Sequence, residues 1–233
     1  MSAAVRPVRY HFAGHDEHCL SAGTADAERR ILIVQPLFDE MNRMRRVLVQ
    51  VMRDLERRGL QSFLPDLPGY NESMAALSDQ DLDHWRGAVS AAAAQFGATH
   101  IASIRGGCLI DDGIPHLPHW RLAPAKGAQL LKTMIRARIA GDREAGLVTH
   151  SEALIASAQK APVELAGNRL SAAMLHSLES AEAKDLPILT LCNLGSDGVE
   201  GSALWLRAEP QDDPQMSVSL ATHLDNWSAS CGG

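Results

Sequence analysis

Residues 102–107 read Ala-Ser-Ile-Arg-Gly-Gly. Ser103, Arg105 and Gly107 thereby have the small-x-nucleophile-x-small spacing of a turn in which a strand breaks sharply into a helix. Such a turn holds its central side chain above a sheet, beside backbone N–H groups able to receive an oxyanion. A guanidinium stays protonated at any accessible pH, so Arg105 offers donors and positive charge where acyl transfer needs a deprotonatable hydroxyl. Two readings are open. Arg105 is either a degenerate elbow that salt-bridges locally, or an anion clamp whose planar fork adds to a helix N-terminus and to the N–H groups of Gly106 and Gly107. Ser103 and Cys108 sit off the centre of the turn and would need a rearranged elbow to act as nucleophiles.

The N–H of Gly106 and the backbone after Pro36, at Leu37 or Phe38, occupy the places where an oxyanion hole would form. Asp39 and Glu40 come next; they either orient Arg105 or Arg43, or stabilise the first turn of a helix through its dipole. Further on, 186–197 reads as a strand followed by Gly-Ser-Asp, and His223 trails it. The chain order Arg105, Asp197, His223 thus mimics nucleophile, acid and base, although a turn aspartate and a surface histidine give the same pattern. His15 with His18 and Cys19, and His116 with His119 and Asp112, lack a zinc spacing and read as ordinary loop or strand residues, so no metal or other cofactor is expected. Six arginines between Arg43 and Arg58 make a basic helix face interrupted by Asp54 and Glu56. That pattern reads as a solvated face ahead of one touching an acidic membrane surface.

Composition excludes several classes. A net charge of −6 argues against a general polyanion binder, and 4% aromatic residues leave little for stacking on single-stranded nucleic acid. Cys19, Cys108, Cys192 and Cys231 are dispersed and read as free thiols of a reducing compartment. Met1–Tyr10 has no signal-peptide apolar core, and no apolar run reaches the ~18 residues of a transmembrane segment. The expected location is cytoplasmic. The expected partner is a small anionic molecule or another protein, with no nucleic acid.

The elements that must position these residues alternate between apolar runs and helix-period segments, as in a largely parallel sheet covered by helices. Ile31 to Val34 reads as a strand buried on both faces. Met44, Val47, Leu48, Val51, Met52 and Leu55 come after it at helical spacing, closed by Gly59. Residues 61–65 read as a strand, Leu82 to Phe96 as a helix closed by Gly97, and 100–104 as the strand feeding the elbow. The three prolines of 111–124 exclude a long helix there. Helices are expected at 127–140, 151–160 and 171–182, the last with Ser171 as N-cap. Strands at 187–192 and 203–209 are expected to close the sheet.

Several blocks also carry a family resemblance. The run from Ile31 through Gln35-Pro36-Leu37-Phe38-Asp39-Glu40-Met41-Asn42-Arg43 to Arg46 resembles the Pro-Phe-x-Glu-Glu-Met-Asn-x-x-Arg-Arg block of exosortase A system-associated hydrolases. Asp66 to Ser73 resembles that family's Asp-Leu-x-Gly-x-Gly-Asp-Ser turn. Residues 120–127, 129–140 and 163–171 are similar to later blocks, so the likeness spans roughly 28–180. The arginine resembles the family type whose elbow often reads Gly-Leu-Arg-x-Gly. The resemblance implies one α/β-hydrolase domain over residues 1–233, mainly parallel in its sheet, with helices on both faces and a small helical lid at 115–160. It also implies a setting in envelope protein sorting coupled to exopolysaccharide production. Gln35 and Asp39 depart from the family pattern, and the C-terminal fifth diverges. Three functions stay open: a binding protein without serine-hydrolase activity, a hydrolase or acyltransferase with a non-standard nucleophile or a water activated by Asp197 and His223, and a structural subunit partnering another hydrolase.

Overall fold

The computed structural model describes residues 4–231, so the first three residues of Met1–Tyr10 lie outside the described residues. Seven strands form one sheet: β1 (Arg6–Phe12), β2 (His15–Ala22), β3 (Arg30–Val34), β4 (Gln61–Pro65), β5 (His100–Ile104), β6 (His119–Leu122) and β9 (Leu189–Cys192), in the order β1-β2-β4-β3-β5-β6-β9. β4, β3, β5, β6 and β9 run parallel. β1 and β2 form an antiparallel hairpin that extends the β4 edge.

The central strands are buried on both faces, and β3 accordingly reads as the continuous apolar run Ile31–Val34. Along β3, Ile31 and Ile33 point to one core and Leu32 and Val34 to the other, the two-residue alternation of a pleated strand. Helix α1 (Asp39–Arg57) lays Met44, Val47, Leu48, Val51, Met52 and Leu55 on the first core. Helix α2 (Leu82–Phe96) lays Trp85, Ala88, Val89 and Ala92 on the second. Asp81 caps α2 by accepting the His84 N–H at 2.8 Å, and Gly97 ends it in the left-handed region at φ 60°.

Between β6 and β9 the chain makes an excursion of α3 (Gly127–Glu144), α4 (Ser151–Ala158), the small hairpin β7 (Val163–Leu165) with β8 (Asn168–Leu170), and α5 (Ala172–Ser180). Ser171 caps α5 as its spacing predicts, accepting the Met174 N–H at 3.2 Å. The boundary expected for the lid is corrected: residues 119–122 pair with β5 and β9 inside the sheet, so no insertion begins at 115. The strand expected at 203–209 is also replaced. Leu204–Leu206 is a single 3-10 turn whose Trp205 is buried, and the chain then enters α6 (Pro214–Ser230), capped by Asp213. Helix α6 packs Met216, Leu220, Leu224 and Trp227 beside α1 on the first core.

Candidate functional site

Arg105 is the first residue beyond β5, and its backbone is held in the left-handed region at φ 55°. The strand does turn sharply there, as expected, but Arg105–Leu109 forms a short 3-10 turn in place of a long helix. The helix dipole assumed for an anion clamp is correspondingly missing. Gly106 and Gly107 are there for packing. A Cβ on Gly107 would lie 2.5 Å from the carbonyl oxygens of both Val34 and Gln35, and one on Gly106 would lie 2.8 Å from Leu130 Cδ1. The elbow therefore sits flush against the end of β3, and only glycine lets the two backbones approach so closely.

The guanidinium is engaged on three sides. Arg105 Nε and Nη2 donate to Glu40 Oε2 and Oε1, both at 3.1 Å, and Nη1 donates to the Ala123 carbonyl at 3.0 Å. Its plane lies over the Trp205 ring, 5.0 Å from the centroid. Of the two roles open to Glu40, orienting Arg105 is the one the geometry displays. Burial pushes the Glu40 carboxyl above its ordinary range, against the pull of the Arg105 hydrogen bonds and charge. The arginine thus arrives at the site already neutralised.

Phe38, one of the two residues expected near an oxyanion hole, is also strained, at φ 57° and ψ −137°. Its ring anchors it against Tyr70 and Trp85. Leu37 turns its side chain onto Gly106. Two non-glycine residues at positive φ on adjoining loops, each costing about 1–3 kcal/mol, are the kind of backbone strain that collects at functional sites.

Phe38 and Arg105 line one cavity of about 370 Å³ together with Asp39, Glu40 and Arg43. Its other walls are Gln129, Leu130, Thr133, Met134 and Ala137 of α3, the hairpin tip at Ala166, and residues 205–208. The tip is placed by a two-residue turn, Ala166 at φ 48° and Gly167 at φ 77°, both positive as such a tight turn demands. Asn168 ties the hairpin down: its side-chain oxygen accepts from Tyr70 Oη at 2.9 Å, and its amide reaches Asp39 Oδ1 at 3.5 Å.

Asp197 and His223 are elsewhere. Neither lines this cavity. The Asp197 carboxylate accepts the Asn193 N–H at 2.7 Å and the Ser196 hydroxyl at 3.2 Å, closing its own turn. His223 Nδ1 lies 3.1 Å from Trp120 Nε1, which can only donate, so Nδ1 accepts and the ring proton sits on Nε2. That proton is directed to the Asp197 carbonyl, 3.1 Å away, and not to its carboxylate. Ser103 and Cys108 are buried, and burial pushes the Cys108 thiol well above its ordinary range.

Of the residues weighed as metal ligands, Cys19, Asp112 and His119 have other roles, while His15 and His116 are exposed and His18 is half-buried. Cys19 is buried in the core, Asp112 pairs with Arg86 and Lys184, and His119 Nε2 lies 3.0 Å from the Ile114 carbonyl, to which it can only donate. Among the described residues no group of three or more His, Cys, Asp or Glu could hold a metal ion. Beneath the elbow lies a buried ion pair, Asp111 with Arg121 at 2.6 Å and 2.9 Å, with His119 Nδ1 at 3.6 Å from the same carboxylate.

Sequence reasoning missed Trp205, Ala166, Asn168 and Arg207 as parts of the site. Trp205 and Arg207 lie in a stretch that reads as a strand, and the β7–β8 hairpin is too short to show alternation. The Ala166-Gly167-Asn168 run is nevertheless a turn signal.

No protein-family model matches the chain, and no curated protein does. Solved structures do. Est1E from Butyrivibrio proteoclasticus, solved with ferulic acid bound, superimposes with a TM-score of 0.59 at 14% identity, over 80% of this chain and 77% of that one. A predicted CIB-like hydrolase from Thermoplasma acidophilum gives a TM-score of 0.52 at 14% identity, over 96% and 99%. The epoxide hydrolase VrEH1 from Vigna radiata gives 0.41 at 17% identity over 52% of this chain, which spans only 40% of that enzyme. The first two likenesses, together with the sheet order and the strained turn at Arg105, show that the chain has the α/β-hydrolase fold.

Proposed function

We propose that this α/β-hydrolase-like protein binds a small anionic molecule in the cavity beside Arg105 and carries out no acyl-enzyme chemistry. The observation that carries the absence of acyl-enzyme chemistry is the occupant of the elbow, a guanidinium locked onto Glu40 and Trp205, and the anion preference is supported by Arg43 and Arg207 in the lining of the same cavity. An acyl-enzyme needs a nucleophile there and a histidine within hydrogen-bond reach of it. His223, directed to Trp120 and the Asp197 carbonyl, supplies neither a base for that position nor an Asp–His couple to activate water. The cavity itself is of the size and mixed lining that small ligands use, toward the lower end of the ~300–1,000 Å³ range. The resemblance of 28–180 to exosortase A system-associated hydrolases supports a role in envelope protein sorting coupled to exopolysaccharide production.

Incubation with an activated ester and with a fluorophosphonate probe tests the reading. The expected result is no burst of product and no labelled serine. Stoichiometric labelling of any serine would overturn it in favour of an active hydrolase.

A further inference from the structure

Because Glu40 neutralises Arg105, the positive charge available to a ligand lies at the rim of the cavity. Three arginines, Arg43, Arg105 and Arg207, face two carboxylates, Asp39 and Glu40. Arg43 is half-buried and donates one N–H to the Trp205 carbonyl at 3.0 Å; among the described residues it makes no ion pair, although its charge acts with that of Arg105 to draw the Glu40 carboxyl down. Arg207 is exposed and likewise makes no ion pair among the described residues, although its charge helps hold the Asp213 carboxyl below its ordinary range. The Arg43 hydrogen bond fastens the same short segment that carries Arg207, so both cations belong to one rim.

The interior is of different character. Phe38, Leu130, Met134 and Trp205 are all buried and apolar, and Leu206 extends the apolar surface to the mouth, where it is 75% exposed. Such a cavity takes a molecule with one charged end and an apolar body. Resting on the reading that the cavity binds and does not react, we infer that the ligand is a short amphiphile bearing one carboxylate or phosphate monoester. Its acidic group is held at the rim by Arg43 and Arg207, and its apolar body lies along Met134, Leu130 and Phe38. The Glu40–Arg105 pair at the base binds no second charge.

Calorimetric titration at moderate salt with octanoate, octyl phosphate and octanol, on the wild-type chain, R207Q and R43Q, tests this. A charge-assisted hydrogen bond to a guanidinium predicts that each loss weakens the two anions about 10-fold to 100-fold and leaves octanol unchanged. Stronger octyl phosphate than octanoate binding, or the reverse, selects the head group. Arg207 is exposed, so R207Q tests the inference without disturbing Trp205. If R207Q and R43Q both bind the anions like wild type while octanol binds wild type more weakly, the rim assignment is overturned and the anion reading of the cavity stands; if octanol binds wild type as tightly as the anions do, both fall. If no probe binds the wild-type chain, the cavity reading falls as well.

Discussion

Glu40, at the first turn of α1, and Arg105, at the first residue beyond β5, meet in a two-pronged ion pair with both contacts at 3.1 Å. The pair joins the start of α1, just beyond β3, to the turn that follows β5. Its side chains are only 14% and 12% exposed, so each charge depends on the other for its solvation.

Glu40→Gln and Arg105→Met, made singly, should each cost about 3 kcal/mol in urea unfolding at neutral pH, because each leaves a largely buried charge without its partner. The double variant should lose less than the two single losses added, with a coupling of about 1–3 kcal/mol. Strictly additive losses would mean that the two side chains are neighbours without being partners.

Arg105→Ser should not create an esterase. It places a hydroxyl at the elbow, but among the described residues no histidine lines the cavity, and His223 is directed to Trp120 Nε1 and to the Asp197 carbonyl. Residual turnover should stay at the level the fold provides without a triad, about 10³–10⁴-fold over water or below. A pre-steady-state burst with p-nitrophenyl acetate from this variant would show that a histidine does reach the elbow, and would reopen the hydrolase reading.

The legibility of these features in the sequence differs by cause. β4 and β5 are readable to the residue because each is a short run set off by a preceding helix-ending glycine, Gly59 or Gly97, even though Gln61 and Ser62 in one and His100 and Ser103 in the other interrupt its apolar residues. The β1–β2 hairpin carries only a weak signal, Val8, Tyr10 and Phe12 alternating with Arg9 and His11 ahead of the turn at Ala13-Gly14. β6 is hidden among three prolines and carries a histidine and an arginine inside, whose partners are the Ile114 carbonyl for His119 and Asp111 and the Lys184 carbonyl for Arg121. In α6, Met216, Leu220, Leu224 and Trp227 do recur at helical spacing, but the surrounding serines and Asn226 mask it. At the site, the turn at Arg105 is legible from its small neighbours. Glu40 is legible as one of the acids that could orient Arg105, but which acid pairs with it is not, because pairing across 65 residues is set by the fold.

The buried pair Asp111–Arg121 makes an acid-sensitive prediction with a definite sign. Burial alone would raise the Asp111 carboxyl; the facing His119, the two guanidinium hydrogen bonds and the charge of Arg121, and the neighbouring Ser103 hold it instead below its ordinary 3.8. In the unfolded chain the same carboxyl regains that ordinary value. As pH falls, the unfolded state therefore takes up the proton first. The stability this residue contributes is fully present above 3.8 and is lost as pH drops through the lower folded value. Urea midpoints of the wild-type chain should decline from about pH 5 to about pH 3. The double variant Asp111→Asn/Arg121→Met removes both charges together and so leaves neither stranded; it should decline less steeply over the same interval. Asp26, Asp112, Asp142 and Asp213, also held below their ordinary range, remain in both proteins and contribute a common background slope. Parallel declines in the two proteins would mean that Asp111 gains nothing from Arg121 on folding, and that the pair beneath the elbow packs without contributing to stability.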